Sequence, residues 1–273
     1  MKKLESFGRF ARKIALGCGK NLSNDVLIGD LGELTIENKM LMLKIRYYFN
    51  LKKDHSRLVS ETLEKIEKWN KNNNRNQNFF LGRMENIMKE MNLNVEELMN
   101  MEKEKRKIKI KEIIYKKQEN EWLNSRKKNK KLIYYNQLKN KLEKEKYLKT
   151  KNRKSARIKM KLRSGNLDLE IEKQRGKCLR DKRMCKLCNN QIEDEFHFVA
   201  ECKRLDKKRK EYTKEIEELK VDLYSNNLEV KIKFFNFIFC SNEDDKKEKL
   251  SRKILKSLYK DLNFSKYRRD NNK

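Results

Sequence analysis

Three of the six cysteines and one of the two histidines of this 273-residue chain lie within eighteen residues, in the pattern Cys185-x2-Cys188-x8-His197-x4-Cys202. Two cysteines separated by two residues let a tight turn direct both sulfurs at one cation, and three thiolates with one imidazole complete a tetrahedral shell. Such a closed shell has no position for an activated water. The pattern therefore predicts a structural Zn²⁺ site.

The spacing of the last two ligands restricts the local backbone. His197 and Cys202 are five residues apart, which is about 140° around a regular helix of 3.6 residues per turn. A π-type turn would bring them together; alternatively, residues 196–198 are extended and a helix begins after them. The competing interpretation of the whole cluster is a set of buried thiols with a core histidine.

The remaining cysteines and the other histidine have simpler interpretations. Cys178 could replace His197 as a ligand, but its distance from Cys185 favours a bystander. Cys18 and Cys240 have apolar surroundings typical of buried thiols, and His55 lies among charged residues. Because no secretory signal is recognisable, the cysteines are expected to be thiols or metal ligands, and the protein is expected to be intracellular, nuclear or cytoplasmic.

The charge of the chain indicates a polyanionic partner. The formal net charge is +30 at pH 7, and lysine or arginine contacts to phosphates release counterions. Proline is absent and alanine occurs at only four positions, so A/T-rich codon usage accounts for part of this charge. Residues 101–163, however, hold 25 lysines and arginines against 7 glutamates, a net +18. Codon usage acts evenly along a chain, so this concentration favours nucleic-acid binding.

The apolar periodicity predicts a mainly α-helical fold with long basic helices, a small zinc-stabilised knuckle and short strands near residues 165–205. Five segments are expected: a helical region at 1–70, an Asn-rich linker with a short helix at 71–94, a long basic helical region at 95–163, the zinc module at 164–210 and a C-terminal helical region at 211–273. No stretch reaches the roughly 18 apolar residues that a membrane span needs, so no membrane partner is expected.

Local patterns predict the secondary structure of individual segments. Leu4, Phe7 and Ile14 recur at helical spacing and predict a helix near the start of the chain. Residues 124–131 contain no apolar residue to bury, so two helices, or one bent helix, are expected on either side of them. Leu167 and Ile171 belong to an alternation with acidic residues that is typical of a strand. For residues 230–239, periodicity does not distinguish a strand from a buried helix.

The nucleic-acid-binding surface is expected to consist of basic residues in the helices and around the knuckle. Aromatic residues interleave with them, at Trp122, Tyr134, Tyr135 and Tyr147. Base stacking on such aromatics holds single strands, whereas the alternative for each ring is a place in a helical core. A basic run at residues 207–210 is also expected to be displayed. The predicted binding residues are Arg126, Lys127, Lys128, Lys130, Lys131, Arg153, Lys154, Arg157, Arg163, Lys186, Lys203 and Arg204.

Motifs of the common enzyme classes are missing. The sequence has no Gly-rich phosphate loop, no Gly-x-Ser-x-Gly elbow and no histidine near a serine that it could activate. The acidic residues at 242–245 could bind magnesium but lie beside a lysine run in an expected loop. The chain is therefore predicted not to be an enzyme.

Residues 159–205 contain, in order, an Arg-Ser-Gly turn at 163–165, a Leu-x-Leu-x-Ile phrase at 167–171, a basic pair at 182–183 and Glu-Asp-Glu-Phe-His-Phe at 193–198. These motifs resemble the region beyond the polymerase domain of non-LTR retrotransposon reverse transcriptases. Residues 15–36, with Gly-Asp-Leu-Gly at 29–32, resemble the segment soon after the polymerase core of that family. Residues 121–140 resemble a helix that follows further on.

The resemblance implies a stand-alone copy, fragment or descendant of that C-terminal region, which in the parent proteins helps to bind template RNA or target DNA. It implies zinc ligation by the same four residues, Cys185, Cys188, His197 and Cys202. The chain departs from the family in lacking a Tyr/Phe-x-Asp-Asp pair, so no polymerase activity is carried over, and in having Gln174 where glycine is expected. The residues after Cys202 are too few to suggest a nuclease domain.

Two other functions also fit the sequence. The long central helices are also typical of a helical interaction protein, with possible pairing between copies of the chain. The third hypothesis is a non-functional remnant of a retroelement. Neither RNA nor single-stranded DNA is favoured as the nucleic acid by the sequence.

Overall fold

The computed structural model describes residues 2–53, 56–73, 80–218, 228–240 and 244–270, and its fold is mainly α-helical, as predicted. None of the described helices combines the length and apolar composition that crossing a bilayer requires. The α-helices in these ranges are α1 (Lys2–Ala15), α2 (Asn24–Leu31), α3 (Ile36–Lys52), α4 (Arg57–Asn73), α5 (Phe80–Glu90), α6 (Val95–Asn100), α7 (Lys103–Lys127), α8 (Ile133–Leu138), α9 (Arg153–Arg163), α10 (Glu170–Lys173), α11 (Asp206–Lys210), α12 (Thr213–Glu218), α13 (Leu228–Phe239) and α14 (Asp245–Asp270).

The strands predicted near residues 165–205 are not formed. In the described residues, extended segments pair only at an isolated antiparallel bridge between Met184 and Ile192. Leu167, Leu169 and Ile171 are all buried in one core, but Leu169 is extended backbone that leads directly into the one-turn helix α10. The alternation therefore reflects burial of a loop and a helical turn, without a partner strand.

Of the two arrangements predicted around residues 124–131, two separate helices or a bent one, the first is formed. Helix α7 ends at Lys127 and α8 begins at Ile133, so residues 128–132 connect two separate helices. Residues 230–239, which periodicity left open between strand and helix, belong to helix α13.

The chain divides into two compact units, residues 1–5 with 34–121 and residues 6–33 with 122–273. Residues 71–94, predicted to be an Asn-rich linker with a short helix, include helix α5 of the first unit, whose Leu81, Met84 and Met88 are buried with residues of α3 and α7. Residues 74–79 of that linker lie outside the described residues.

The second unit buries most of the aromatic residues that lie among its lysines. Trp122, Tyr135 and Tyr147 are at most 3% exposed, so they serve the helical core and no base can stack on them. Tyr134 is half-buried, and its ring lies 4.9 Å from that of Phe235 on α13.

A buried ionic network joins distant parts of the second unit. The carboxylate of Asp30 on α2 accepts two hydrogen bonds of 2.8 Å from the guanidinium of Arg163 on α9. It also accepts hydrogen bonds from the hydroxyls of Tyr135 and Tyr147, at 2.9 Å and 2.6 Å. Arg163 donates further to Glu145 at 3.0 Å. Every polar atom of the Asp30 carboxylate is thus occupied inside the core.

A second buried ion pair joins α9 to α14. The Nζ atom of Lys159 lies 3.0 Å from both carboxylate oxygens of Glu248. Burial lowers the pKa of Lys159 to about 8, and the charge of Glu248 opposes that shift without cancelling it. Between about pH 8 and the ordinary value of 10.5, the unfolded chain therefore binds more protons at this residue than the folded chain. The contribution of Lys159 to the free energy of unfolding rises with pH across this window.

We expect this rise to be absent in a Lys159→Met variant. The free energy of unfolding of the unmodified protein, minus that of the variant, should increase by about 3 kcal/mol between pH 8 and 10.5, since one pKa unit corresponds to about 1.4 kcal/mol. Urea unfolding at several pH values measures the difference, and Lys260→Met, at an exposed position of α14, the helix that carries Glu248, is the control. A difference that stays constant across the window contradicts the prediction.

Candidate metal centre

The four residues predicted as zinc ligands converge in space. One ligand atom from each of Cys185, Cys188, His197 and Cys202 lies within 4.8 Å of the others. The sulfurs of Cys185 and Cys202 are 3.9 Å apart, and the sulfur of Cys188 is 3.4 Å from Nε2 of His197. Zinc–sulfur and zinc–nitrogen distances of about 2.3 Å and 2.0–2.1 Å place tetrahedral ligand atoms about 3.5–3.8 Å apart. The donor set and its spacing therefore fit a four-coordinate metal ion.

The first two ligands lie on a tight turn of the backbone. The amide of Cys185 donates to the carbonyl of Gln191 at 2.7 Å, and the amide of Asn189 donates to the carbonyl of Cys185 at 2.8 Å. Asn189 has a φ of 55°, the left-handed region in which asparagine is enriched. The bridge from Met184 to Ile192 closes the base of the turn. Its geometry directs both sulfurs towards the same point.

A π-helical turn brings His197 and Cys202 together. Residues His197–Glu201 form this turn, and the amide of Cys202 donates to the carbonyl of His197 at 2.8 Å. That i to i+5 bond is the defining bond of a π-helix, which occurs mostly as single turns and frequently at functional sites. The first of the two predicted solutions is confirmed, and the alternative of an extended segment at 196–198 is wrong.

Neighbouring side chains orient the histidine ring. Nδ1 of His197 lies 2.6 Å from Oε1 of Gln191, and a partner on Nδ1 leaves Nε2 available for a metal. The backbone amide of His197 donates to Asp194 at 2.9 Å, and Asp194 accepts from the hydroxyl of Tyr134 at 3.1 Å. Gln191 and Asp194 were not singled out from the sequence, since only the folded turn shows which polar neighbour reaches the ring.

The thiols of Cys185 and Cys202 change each other's pKa. The hydrogen bond between their sulfurs raises the pKa of Cys185 to about 12 and lowers the pKa of Cys202. A coordinated thiol is deprotonated, so a bound cation would replace this hydrogen bond. Four protein ligands complete a tetrahedral shell, and the arrangement is therefore suited to holding structure rather than to activating a water.

Arg209 stabilises the end of the π-helical turn through hydrogen bonds. It belongs to the basic run at 207–210 that was expected to be displayed, but it is only 6% exposed. Its guanidinium donates to the carbonyl of Val199 at 3.1 Å and to the carbonyl of Cys202. It also pairs with Asp206 at 2.6 Å. Arg209 is thus a structural residue, because its donors are directed at backbone acceptors inside the unit.

Most of the predicted nucleic-acid-binding residues lie on the surface. Lys131 is half-buried and pairs with Glu172 at 2.8 Å, and the exposed Lys186 pairs with Glu170 at 3.1 Å. The other exposed members of the set are Lys127, Lys128, Lys130, Arg153, Lys154, Arg157, Lys203 and Arg204.

Two members of the set are buried, and their assignment to a nucleic-acid face is corrected. Arg163 is 3% exposed and is held by Asp30 and Glu145. Arg126 is 5% exposed; its guanidinium donates to the carbonyl of Lys139 and lies 4.4 Å from the ring centre of Trp122. Neither guanidinium is accessible to a phosphate.

The connection between α7 and α8 lies beside the metal centre. Lys131, in this connection, pairs with Glu172, and Tyr134 at the start of α8 donates to Asp194, three residues before His197. Lys127, Lys128 and Lys130 precede these two contact residues in the chain and are exposed. Lys203 and Arg204 follow the last ligand directly and are exposed as well.

The other cysteines and the acidic run are separate from the four-residue cluster. Cys178 is half-buried and is not among the clustered residues, Cys18 is buried and Cys240 is half-buried. In the acidic run at 242–245, Asp244 accepts hydrogen bonds from the amides at the start of α14, at 2.7 Å for Lys246. Residues 242 and 243 and His55 lie outside the described residues.

Comparisons with known proteins give this chain no relatives: no protein-family model, no curated protein and no solved structure matches it significantly.

Proposed function

We propose that this chain binds one Zn²⁺ through Cys185, Cys188, His197 and Cys202, and binds RNA or single-stranded DNA through the basic surface beside that site. Its action is binding, without catalysis. The motifs at residues 159–205 support an origin in the region beyond the polymerase domain of a non-LTR retrotransposon reverse transcriptase.

The convergence of three thiols and one imidazole is the observation that carries the proposal. Thiolate and imidazole ligands in tetrahedral arrangement favour Zn²⁺ over the oxygen-preferring cations Mg²⁺ and Ca²⁺. When bound, zinc would act as a cross-link between the tight turn and the π-helical turn. It would thereby fix Phe198 and Val199, which the π-helical turn contributes to the core of the second unit.

The charges beside the cluster support a polyanionic partner. Lys127 at the end of α7, and Lys128 and Lys130 in the connection to α8, are exposed. Lys203 and Arg204 are exposed directly after the last ligand. Single-stranded nucleic acid offers phosphates at a spacing that such a group of cations can follow, and zinc knuckles are among the modules that bind it.

The proposal predicts a salt-dependent affinity that these lysines supply. Fluorescence anisotropy with a labelled 20-nucleotide oligo(U) and the matching oligo(dT) should give a log affinity that falls linearly with log salt concentration. In the triple variant Lys127→Ala/Lys128→Ala/Lys130→Ala, the slope should become shallower by about 2, because each phosphate contact on a single strand contributes about 0.7.

A triple variant in the first unit gives the matched control. Lys44, Lys65 and Lys89 are also exposed, so their replacement by alanine removes the same charge from a surface outside the proposed site. This control variant should retain most of the dependence of log affinity on log salt concentration. Absence of binding, an affinity independent of salt or an equal loss in both triple variants contradicts the proposed function.

A further inference from the structure

Helix α1 is oriented with its polar residues inward and its apolar residues towards solvent. Lys13 is buried and its Nζ donates to the carbonyl of Lys20 at 3.0 Å. On the opposite side, Phe7, Phe10 and Ile14 are 70%, 51% and 60% exposed. The helical spacing of these residues would ordinarily predict a buried face. We call Phe7, Phe10 and Ile14 the α1 stripe.

The α1 stripe continues into a cleft of about 470 Å³ in the same unit. Ile14 lines one side of the cleft, and Leu148 and Met160 contribute apolar surface. Arg153 and Arg157 of helix α9 also line it, and no carboxylate does. Neither arginine forms an ion pair with a carboxylate in the described part of the chain. The cleft thus combines apolar surface with two available positive charges.

Gly17 allows Arg157 to reach its place in the wall of the cleft. Gly17 has a φ of +63°, and a Cβ atom there would lie only 2.0 Å from Nη2 of Arg157. The guanidinium therefore packs directly against the backbone, and a side chain at position 17 would displace it. Glycine is the residue that meets both conditions, since it tolerates positive φ and has no Cβ.

We propose that a single strand of RNA or DNA follows the α1 stripe into this cleft, with bases stacked on Phe7 and Phe10 and phosphates bound by Arg153 and Arg157. This inference rests on the proposed function and adds a second contact region to it. Exposed aromatic rings beside arginines are the combination that holds single strands without sequence preference. Arg153 and Arg157 are also continuous with Lys154, another exposed residue of α9.

The same features disfavour the other possible occupants. A second copy docked face to face on this surface would place its own Arg153 and Arg157 beside those of the first copy, with no carboxylate in the cleft to pair with them. A membrane surface would contact the protruding rings of Phe7 and Phe10 but would not enter a cleft to reach the arginines. A flexible polyanion with flat apolar bases can stack its bases on the α1 stripe and bind its phosphates to the arginines of the cleft.

The test compares two double variants of the full-length protein in the oligo(U) and oligo(dT) assay. Phe7→Ala/Phe10→Ala should weaken binding about 10-fold or more with an unchanged salt slope, because stacking is lost and no phosphate contact is. Arg153→Ala/Arg157→Ala should make the slope shallower by about 1.4, for two phosphates at about 0.7 each. Gly17→Ala should reproduce part of the arginine effect. Circular dichroism checks that each variant is folded.

Controls and cross-linking make the result decisive. Leu43→Ala/Tyr47→Ala removes two residues that are both 55% exposed on α3, and it should leave the affinity unchanged. Photocross-linking to oligo(5-iodo-U) should label the peptide that contains Phe7 and Phe10. The proposal is overturned, with the proposed function intact, if the protein binds but the Phe variant binds equally well and the label lies elsewhere. Binding of phosphatidylserine vesicles that depends on Phe7 and Phe10, without an effect on oligo(U), overturns it in favour of a membrane surface. Absence of oligonucleotide binding by the unmodified protein overturns both proposals.

Discussion

Replacing Cys202 by serine is expected to abolish zinc binding and to destabilise the second unit strongly. Native mass spectrometry of the protein purified without added metal should show one zinc in the unmodified chain and none in Cys202→Ser. Structural zinc contributes an apparent ~10–16 kcal/mol in zinc-finger peptides. A loss of several kcal/mol in the free energy of unfolding is therefore expected, measured by denaturant unfolding.

The position of Cys202 explains why the effect should be large. Cys202 and Cys185 are 0% and 1% exposed, so the variant places an isolated hydroxyl where a metal-bound thiolate is expected. The π-helical turn that ends at Glu201 has less favourable backbone geometry than an α-helix and depends on neighbouring interactions. Without the cross-link, the turn that carries Phe198 and Val199 into the core has lost its main constraint.

Cys178→Ser provides a control with the same chemical change. Cys178 is half-buried and lies outside the four-residue cluster, so this variant should retain one zinc and nearly all of the stability. His197→Ala should lose zinc like Cys202→Ser. A protein that carries no zinc although it is folded, or a Cys202→Ser variant that keeps its zinc, would falsify the assignment of these ligands.

Local spacing was sufficient to predict the candidate metal centre. The interval from Cys185 to Cys188 specifies a tight turn whatever surrounds it, and the five-residue interval from His197 to Cys202 is incompatible with a regular helix. Because five residues of a regular helix would point His197 and Cys202 in different directions, the spacing predicts a π-type turn, which is found at His197–Glu201. Helical class was predictable for a similar reason, because apolar periodicity is a local property.

Which charged residues are buried was not predictable, because burial depends on distant parts of the chain. Arg163 was assigned to a nucleic-acid face as one basic residue among many, yet it pairs with Asp30, 133 positions earlier. The exposure of Phe7 has the same origin. Its helix packs through its polar side, and nothing in the local pattern distinguishes this arrangement from the usual one.

Replacing Asp30 by asparagine is expected to destabilise the protein by about 3–5 kcal/mol. The change leaves Arg163, which is 3% exposed, without its principal counter-charge, and breaking a buried ion pair by removing one partner costs about that much. The hydroxyls of Tyr135 and Tyr147 also lose a charged acceptor. Urea unfolding at pH 7 measures the effect. Glu61→Gln, which removes an ion pair to Arg57 whose side chains are 52% and 93% exposed, should change the free energy by less than about 1 kcal/mol.

The pH dependence of this difference separates the ion pair from a packing defect. Burial alone would raise the pKa of Asp30, but the charge and hydrogen bonds of Arg163 and the hydrogen bond of Tyr147 outweigh it and lower the pKa. The stabilisation is therefore present above the unfolded pKa of about 3.9 and is lost as the pH falls through the folded value. The difference between the unmodified protein and Asp30→Asn should stay constant from pH 8 to 5 and shrink in acid.

A double variant tests whether the cost comes from the charge left unpaired. Asp30→Asn/Arg163→Met removes both charges, and Glu145 keeps Lys139 as a partner at 2.6 Å. The double variant should be more stable than Asp30→Asn alone, since replacing a buried pair by groups without charge is far less costly than orphaning one member. If the losses in the free energy of unfolding from the two substitutions are instead additive, Asp30 and Arg163 do not stabilise the fold as a pair. The loss in Asp30→Asn then reflects the tyrosine hydrogen bonds.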